Sequence, residues 1–153
     1  MKALTIHEPY ASLIIMGIKK LETRGHKTNV RGEIAIHAGK KPMDAEGKAL
    51  AEKYGIEPQY GKVLGVAYLC ACGLVKDDVK CGISWEIRQS MPNEESDYEK
   101  FARVYDSMDL MEEPNFGDLS EGRYLWALEV VEKFDEPIPA KGMQRWWNWE
   151  RGA

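Results

Sequence analysis

The stretch 17-GIKKLETRGHKTNVRGEIAIHAGK-40 decides how the rest of the chain is read. It contains two short β-type runs, 19-KKLETRG-25 and 32-GEIAIHAG-39, each bounded by glycine and joined by the polar link 25-GHKTNVR-31. Period-two alternation puts Lys20, Glu22 and Arg24 on one face of the first run and Leu21 and Thr23 on the other. In the second run it separates Ile34, Ile36 and Ala38 from Glu33, Ala35 and His37. The stretch is also cationic: Lys19, Lys20, Arg24, Lys27, Arg31 and Lys40 outnumber Glu22 and Glu33, with His26 and His37 beside them.

The surrounding chain has the opposite sign. Its 153 residues carry a formal net charge of −4, so bulk charge does not suit it to coating nucleic acid, a mode that needs many cations releasing counterions. From 93 to 118 the acids Glu94, Glu95, Asp97, Glu99, Asp106, Asp109, Glu112, Glu113 and Asp118 face only Lys100 and Arg103. A polarised surface is expected. With 44% hydrophobic and 30% charged residues the composition is that of a globular protein, and the length fits one domain over 1–153. The longest apolar runs, such as 13-LIIMGI-18, fall far short of the roughly 20 residues of a spanning helix. Three cysteines, Cys70, Cys72 and Cys81, are an odd number, and 1-MKALTIHEPY-10 reads directly as structure. A reducing, cytoplasmic setting without membrane contact is expected.

Working outward, 2-KALTIH-7 alternates as a strand, and 8-EPYASLIIMG-17 carries helix punctuation, with Pro9 at the first helical position and Gly17 at a left-handed stop. Residues 43-MDAEGKALAEKYG-55 predict a short amphipathic helix ended by Gly55. The run 62-KVLGVAYLCACGLV-75 predicts a long core strand in which Gly65 or Gly73 marks a bulge or bend. Segment 76–122 reads as an insertion holding a helix in 94-EESDYEKFARVYDSM-108. Residues 123-RYLWALEVVEKF-134 form a closing strand before the extended 135-DEPIPAKG-142 and the aromatic 143-MQRWWNWE-150. Five or six strands among a few short helices imply an α+β fold, a small mixed β-barrel with short flanking helices.

Two blocks, 3-ALTIHEPYASLIIMGIKKLETR-24 and 31-RGEIAIHA-38, resemble the ASCH domain family, relatives of the PUA domains of RNA-modifying enzymes. The resemblance lies in the early strand and helix, in G-x-K-x-x-E-x-R at Gly17, Lys19, Glu22 and Arg24, and in Arg31-Gly32 followed by 36-IHA-38. An echo follows in 124-YLWALEVVEKFDEPIPAKG-142. The resemblance implies a PUA-like barrel whose cleft, lined by that Lys, Glu and Arg, takes RNA or a nucleotide.

Side-chain chemistry supports part of this. Lysine and arginine hold phosphate oxygens, arginine in two-pronged fashion, and Glu22 either neutralises Arg24 or accepts hydrogen bonds from a base or sugar. The nucleic-acid-binding set is thus Lys19, Lys20, Glu22, Arg24, His37 and Lys40. The competing reading is a solvated strand face with cross-strand ion pairs worth about 0.2–1 kcal/mol each. His37 either stacks on a base and moves protons or is a hydrogen-bonded structural residue. Cys70, Cys72 and Cys81 fall short of four zinc ligands and read as free thiols, so no metal or cofactor is expected. Trp146, Trp147 and Trp149 either stack on unpaired bases or seal one end of the fold.

Three functions follow. The first is a module binding single-stranded RNA or a nucleotide, since single strands expose base edges and faces to a small cleft. The second is a hydrolase using Lys19 and Glu22, either a ribonuclease or an amidohydrolase of acetylated cytidine. The resemblance to the latter implies a lysine, a threonine three residues later and a distant glutamate. Here Glu22 stands at the threonine position, Thr23 is adjacent, and the distant glutamate has no obvious counterpart. The third is a protein-interaction module using the acidic segment or the tryptophan-rich end.

Overall fold

The structure is a computed structural model that describes residues 1–75, 85–86, 94–109 and 112–152. It divides into two compact units, and two long strands, β4 (Lys62–Val75) and β6 (Tyr124–Pro139), contribute to both.

The first unit comprises Met1–Ile18, Glu33–Tyr68 and Val130–Ala153. Here β1 (Lys2–Ile6) runs parallel to β3 (Gly32–Ala38), pairing Ala3 with Ala35 and Thr5 with His37, and antiparallel to β7 (Trp147–Asn148). Helix α1 (Tyr10–Ile15) starts one residue later than predicted, with Pro9 as its cap residue. Pro9 lacks a side-chain acceptor, so the buried Glu8 carboxylate takes the Ser12 N–H at 3.2 Å and the Ser12 hydroxyl at 2.8 Å. Gly17 closes the helix at φ +76°, as its sequence position predicts. Helix α2 (Ala45–Tyr54) is capped by Asp44 accepting from the Gly47 N–H at 2.8 Å, and Gly55 ends it in the left-handed conformation.

The two faces that alternation assigns to β3 are alike in burial. Both faces are buried from Ile34 to Ala38, because Ala35 joins a core of Ala3, Val63, Val66, Phe134, Trp147 and Trp149, and His37 meets the Trp147 ring edge-on at 5.4 Å. Trp147 and Trp149 are therefore packing residues.

The second unit comprises Lys19–Gly32 and Leu69–Glu129. Strand β2 (Leu21–Arg24) pairs antiparallel with β6, Glu22 opposite Trp126 and Arg24 opposite Tyr124. The far end of β4 pairs with β5 (Trp85–Glu86). Helix α3 (Glu94–Asp106) and a 3-10 turn, η1 (Glu113–Phe116), complete the unit. Its core unites Leu21, Leu125 and Ala127 from one sheet face with Phe101, Val104 and Met108 and with Cys70. Cys70 and Cys72 are buried free thiols, and burial pushes the Cys70 thiol up to about 11. Cys81 lies outside the described residues.

The predicted barrel is corrected. Six strands form one hydrogen-bonded path, β2-β6-β4-β3-β1-β7, with β5 attached to β4, and the sheet is not closed among the described residues. The path ends in strands of four and two residues, too short to carry a closing ladder. No helix among the described residues is long and apolar enough to cross a membrane.

Of the two candidate glycines in β4, Gly65 marks a close approach rather than a turn. A Cβ there would overlap the Glu132 carbonyl oxygen of β6 and press on the Ile15 side chain at 3.2 Å. Gly65→Ala is expected to destabilise the protein by about 1–3 kcal/mol through overpacking, read as a lower urea midpoint at unchanged slope.

Candidate functional site

Lys19, Glu22 and Arg24 of G-x-K-x-x-E-x-R lie at the start of the second unit, and Gly17 belongs to the first. Lys19 and Lys20 precede β2 rather than lying in it, because the strand begins at Leu21. Lys19 is only 2% exposed and Glu22 only 9%, which removes both from a solvated strand face. Lys19 Nζ donates to the Leu21 carbonyl, and its charge is felt by Glu113, a buried acid on η1. Glu113 Oε1 accepts the Lys20 N–H, so one carboxylate engages both lysine positions. Lys20 Nζ reaches the end of α3, donating to Ser107 Oγ at 2.9 Å.

Gly117, just after η1, completes this corner. A Cβ on it would stand 3.0 Å from Thr23 Oγ1 and 3.8 Å from Lys19 Nζ, so the hydroxyl and the amine both look onto the same stretch of backbone. Lys19 and Thr23 thus meet at Gly117, and the Lys19 charge is in turn felt by Glu113. The opposite face of β2 carries Glu22 and Arg24 beside Trp126. The Arg24 guanidinium lies 5.6 Å from the centre of the Trp126 ring, and the His26 ring meets that indole edge-on at 5.6 Å. Trp126 Nε1 donates to the His26 carbonyl at 3.2 Å, which fixes the exit of β2 against β6.

Two buried carboxylates are incompletely satisfied. Glu22 Oε1 accepts the Thr23 N–H at 3.0 Å, while Glu22 Oε2 and Glu113 Oε2 have no hydrogen-bond partner among the described residues. Burial raises the Glu113 carboxyl above its usual range, with the Lys19 charge and the Lys20 N–H pulling the other way. An acceptor atom left bare inside a protein costs about 1–3 kcal/mol, which makes these two oxygens conspicuous.

His37 and Lys40 belong to the first unit. His37 Nε2–H donates to the Ala140 carbonyl at 2.9 Å, and Nδ1 accepts from the Thr5 hydroxyl at 3.2 Å, which itself accepts from Trp147 Nε1 at 3.1 Å. Burial lowers the His37 pKa, its bond to Ala140 pulls upward, and the Lys40 charge adds to the lowering. The ring is a neutral strut between β1, β3 and the chain near Ala140. Lys40 is exposed. Arg31, part of the cationic stretch, donates to the Thr28 and Val30 carbonyls of its own loop at 3.0 and 2.7 Å.

Sequence reading missed Glu113, Gly117 and Trp126. Glu113 is one acid among nine in an acidic segment, and nothing local distinguishes the one that turns inward.

An α+β sheet, open among the described residues, thus carries the buried Lys and Glu of G-x-K-x-x-E-x-R at the start of a short strand. The ASCH domain family model matches residues 4–138. The chain belongs to the ASCH domain family, which is generally linked to RNA binding. No curated protein matches it. Among solved structures, a crystal structure of a mutant ZmASCH protein from Zymomonas mobilis is similar at 15% identity and a TM-score of 0.43, covering 90% of this chain and 74% of that one.

A carboxyl whose folded pKa is raised favours folding while protonated. Stability of the wild type relative to Glu113→Gln should therefore fall as pH rises from the ordinary glutamate value near 4.5 through the folded value, then level off. Urea midpoints of both proteins from mildly acidic to neutral pH check this.

Proposed function

We propose that the protein binds single-stranded RNA or a nucleotide through Lys19, Lys20, Glu22 and Arg24 of the second unit. The observation that carries this reading is Glu22 Oε2, a buried carboxylate oxygen with no hydrogen-bond partner among the described residues, next to Arg24 on the Trp126 face. A carboxylate oxygen accepts from the exocyclic amine of cytosine, and arginine beside it takes a phosphate. The partner is then a nucleic acid with exposed base edges, which only a single strand or a mononucleotide offers in full. The reading takes 1–153 as a single ASCH domain with 76–122 as a family-specific insertion. It places the protein in the cytoplasm, where RNA and buried free thiols such as Cys70 and Cys72 coexist.

A second reading, hydrolysis of an acetylated nucleoside, is favoured by one specific arrangement. The catalytic pair assigned to Lys19 and Glu22 gains Thr23, which meets Lys19 at Gly117, and Glu113, which feels the Lys19 charge. Amide hydrolysis needs a nucleophilic hydroxyl, a group to take its proton and a donor for the departing amine, and these three side chains have the required types. Turnover of acetylated cytidine, abolished in Thr23→Ala, supports catalysis. Tight binding of cytidine nucleotides without turnover in the wild type dismisses it.

The binding reading predicts that CMP binds more tightly than UMP, which lacks the amine. Glu22→Gln should erase most of that preference, a loss of about 1–3 kcal/mol measured by calorimetry, while its thermal midpoint shows that the variant is folded. Equal affinities for CMP and UMP in the wild type, or an unchanged preference in the variant, overturn the assignment.

A further inference from the structure

The first unit carries a second cationic feature, outside the signature residues. Three chain segments converge on Gly61, which takes φ +72°. The Gly61 N–H donates to the Ala38 carbonyl at 2.8 Å, and the Ala140 N–H donates to the Gly61 carbonyl at 3.0 Å. His37 completes the tie from below by donating to the Ala140 carbonyl at 2.9 Å. The residues just past these anchors are Lys40, Lys41 and Lys141, all exposed. None of the three has an ion-pair partner among the described residues.

Their positions are held rather than loose. The Lys40 stem lies along Gly61, where a Cβ would come within 3.0 Å of Cε. Gly142, next to Lys141, packs so closely on His37 and Thr5 that a Cβ would fall 2.6 Å from His37 Nδ1 and 2.8 Å from Thr5 Oγ1. Asp44, three residues past Lys41, is engaged in capping α2, and Glu8, which takes the Gln59 N–H two residues before Gly61, is buried. Half-exposed Tyr60, beside Gly61, accepts the Met43 N–H at 3.4 Å and keeps an aromatic ring at the edge of the cluster.

Three exposed lysines on segments tied together by backbone hydrogen bonds concentrate positive charge in a protein of net negative charge. We propose that Lys40, Lys41 and Lys141 form a phosphate-backbone contact surface for single-stranded RNA, additional to the signature residues and indifferent to base identity. Lysines serve this role as point charges, so the surface adds affinity and salt dependence and leaves base preference to Glu22. The choice of RNA as the polyanion rests on the reading given under Proposed function, whereas the cationic surface does not.

The test is a triple variant, Lys40→Gln, Lys41→Gln and Lys141→Gln, which keeps side chains of similar length and removes the charge. Binding of CMP and of a short oligocytidylate is measured across a salt series, with inorganic tripolyphosphate as a competitor. For the wild type, the oligomer's log–log salt slope should steepen by about 0.7 for each phosphate met. The triple variant should lose up to about 2 of that slope while keeping the wild-type ratio of CMP to UMP affinity. An unchanged slope, or no oligomer binding beyond that of CMP, overturns the proposal. Tripolyphosphate displacing the oligomer from these lysines at far lower concentration overturns RNA as the ligand in favour of a free polyphosphate. If the slope falls in the triple variant while Glu22→Gln leaves CMP binding untouched, the surface stands and the reading of the signature residues fails.

Discussion

Burying an ammonium group is costly unless its hydrogens and its charge are both met, and Lys19 imposes that condition on the second unit. Its amine takes the Leu21 carbonyl and faces Glu113, which in turn holds the Lys20 N–H. To bring Glu113 there, the chain turns through η1, and Gly117 follows it because a side chain would press on Thr23. The start of β2, the inward acid and the glycine are consequences of one desolvated charge. Removing the lysine alone would strand Glu113, which is why the corner behaves as a unit.

The two faces of β2 have different chemistry because antiparallel pairing with β6 assigns them different neighbours. Leu21 enters an apolar core with Leu125, Ala127 and Phe101, whereas Glu22 and Arg24 sit by Trp126. A short strand bonded to a long one thereby presents a carboxylate and a guanidinium at fixed separation beside an aromatic plane. In the first unit, the His37 strut does comparable work with neutral groups, joining Thr5, Trp147 and Ala140 through a chain of hydrogen bonds.

Local signals were legible where one residue decides the outcome. Gly17, Gly55 and the long run 62–75 appear where punctuation and β-branched content place them, and the signature at Gly17, Lys19, Glu22 and Arg24 pointed to the family. Closure of the sheet was not legible, because it depends on whether end strands are long enough to pair, and β7 reduces to two residues within an aromatic stretch that looks longer. Period-two alternation separates the faces of β3 without telling which is covered, and Ala35 and His37 are in fact packed against Trp147 and its neighbours. The partner of Lys19 was hidden for a different reason. Glu113 lies 94 positions further along the chain, in a run of similar acids that only tertiary packing tells apart.

Trp126 gives the signature residues a built-in optical reporter. Its indole is almost completely shielded from solvent, donates through Nε1, and has a guanidinium and an imidazole as immediate neighbours. Indole emission depends on nearby charge and polarisable rings, so any molecule that draws Arg24 away from the ring, or shifts the loop at His26, alters the light this residue emits. Occupancy at the lip of β2 is therefore visible without a label.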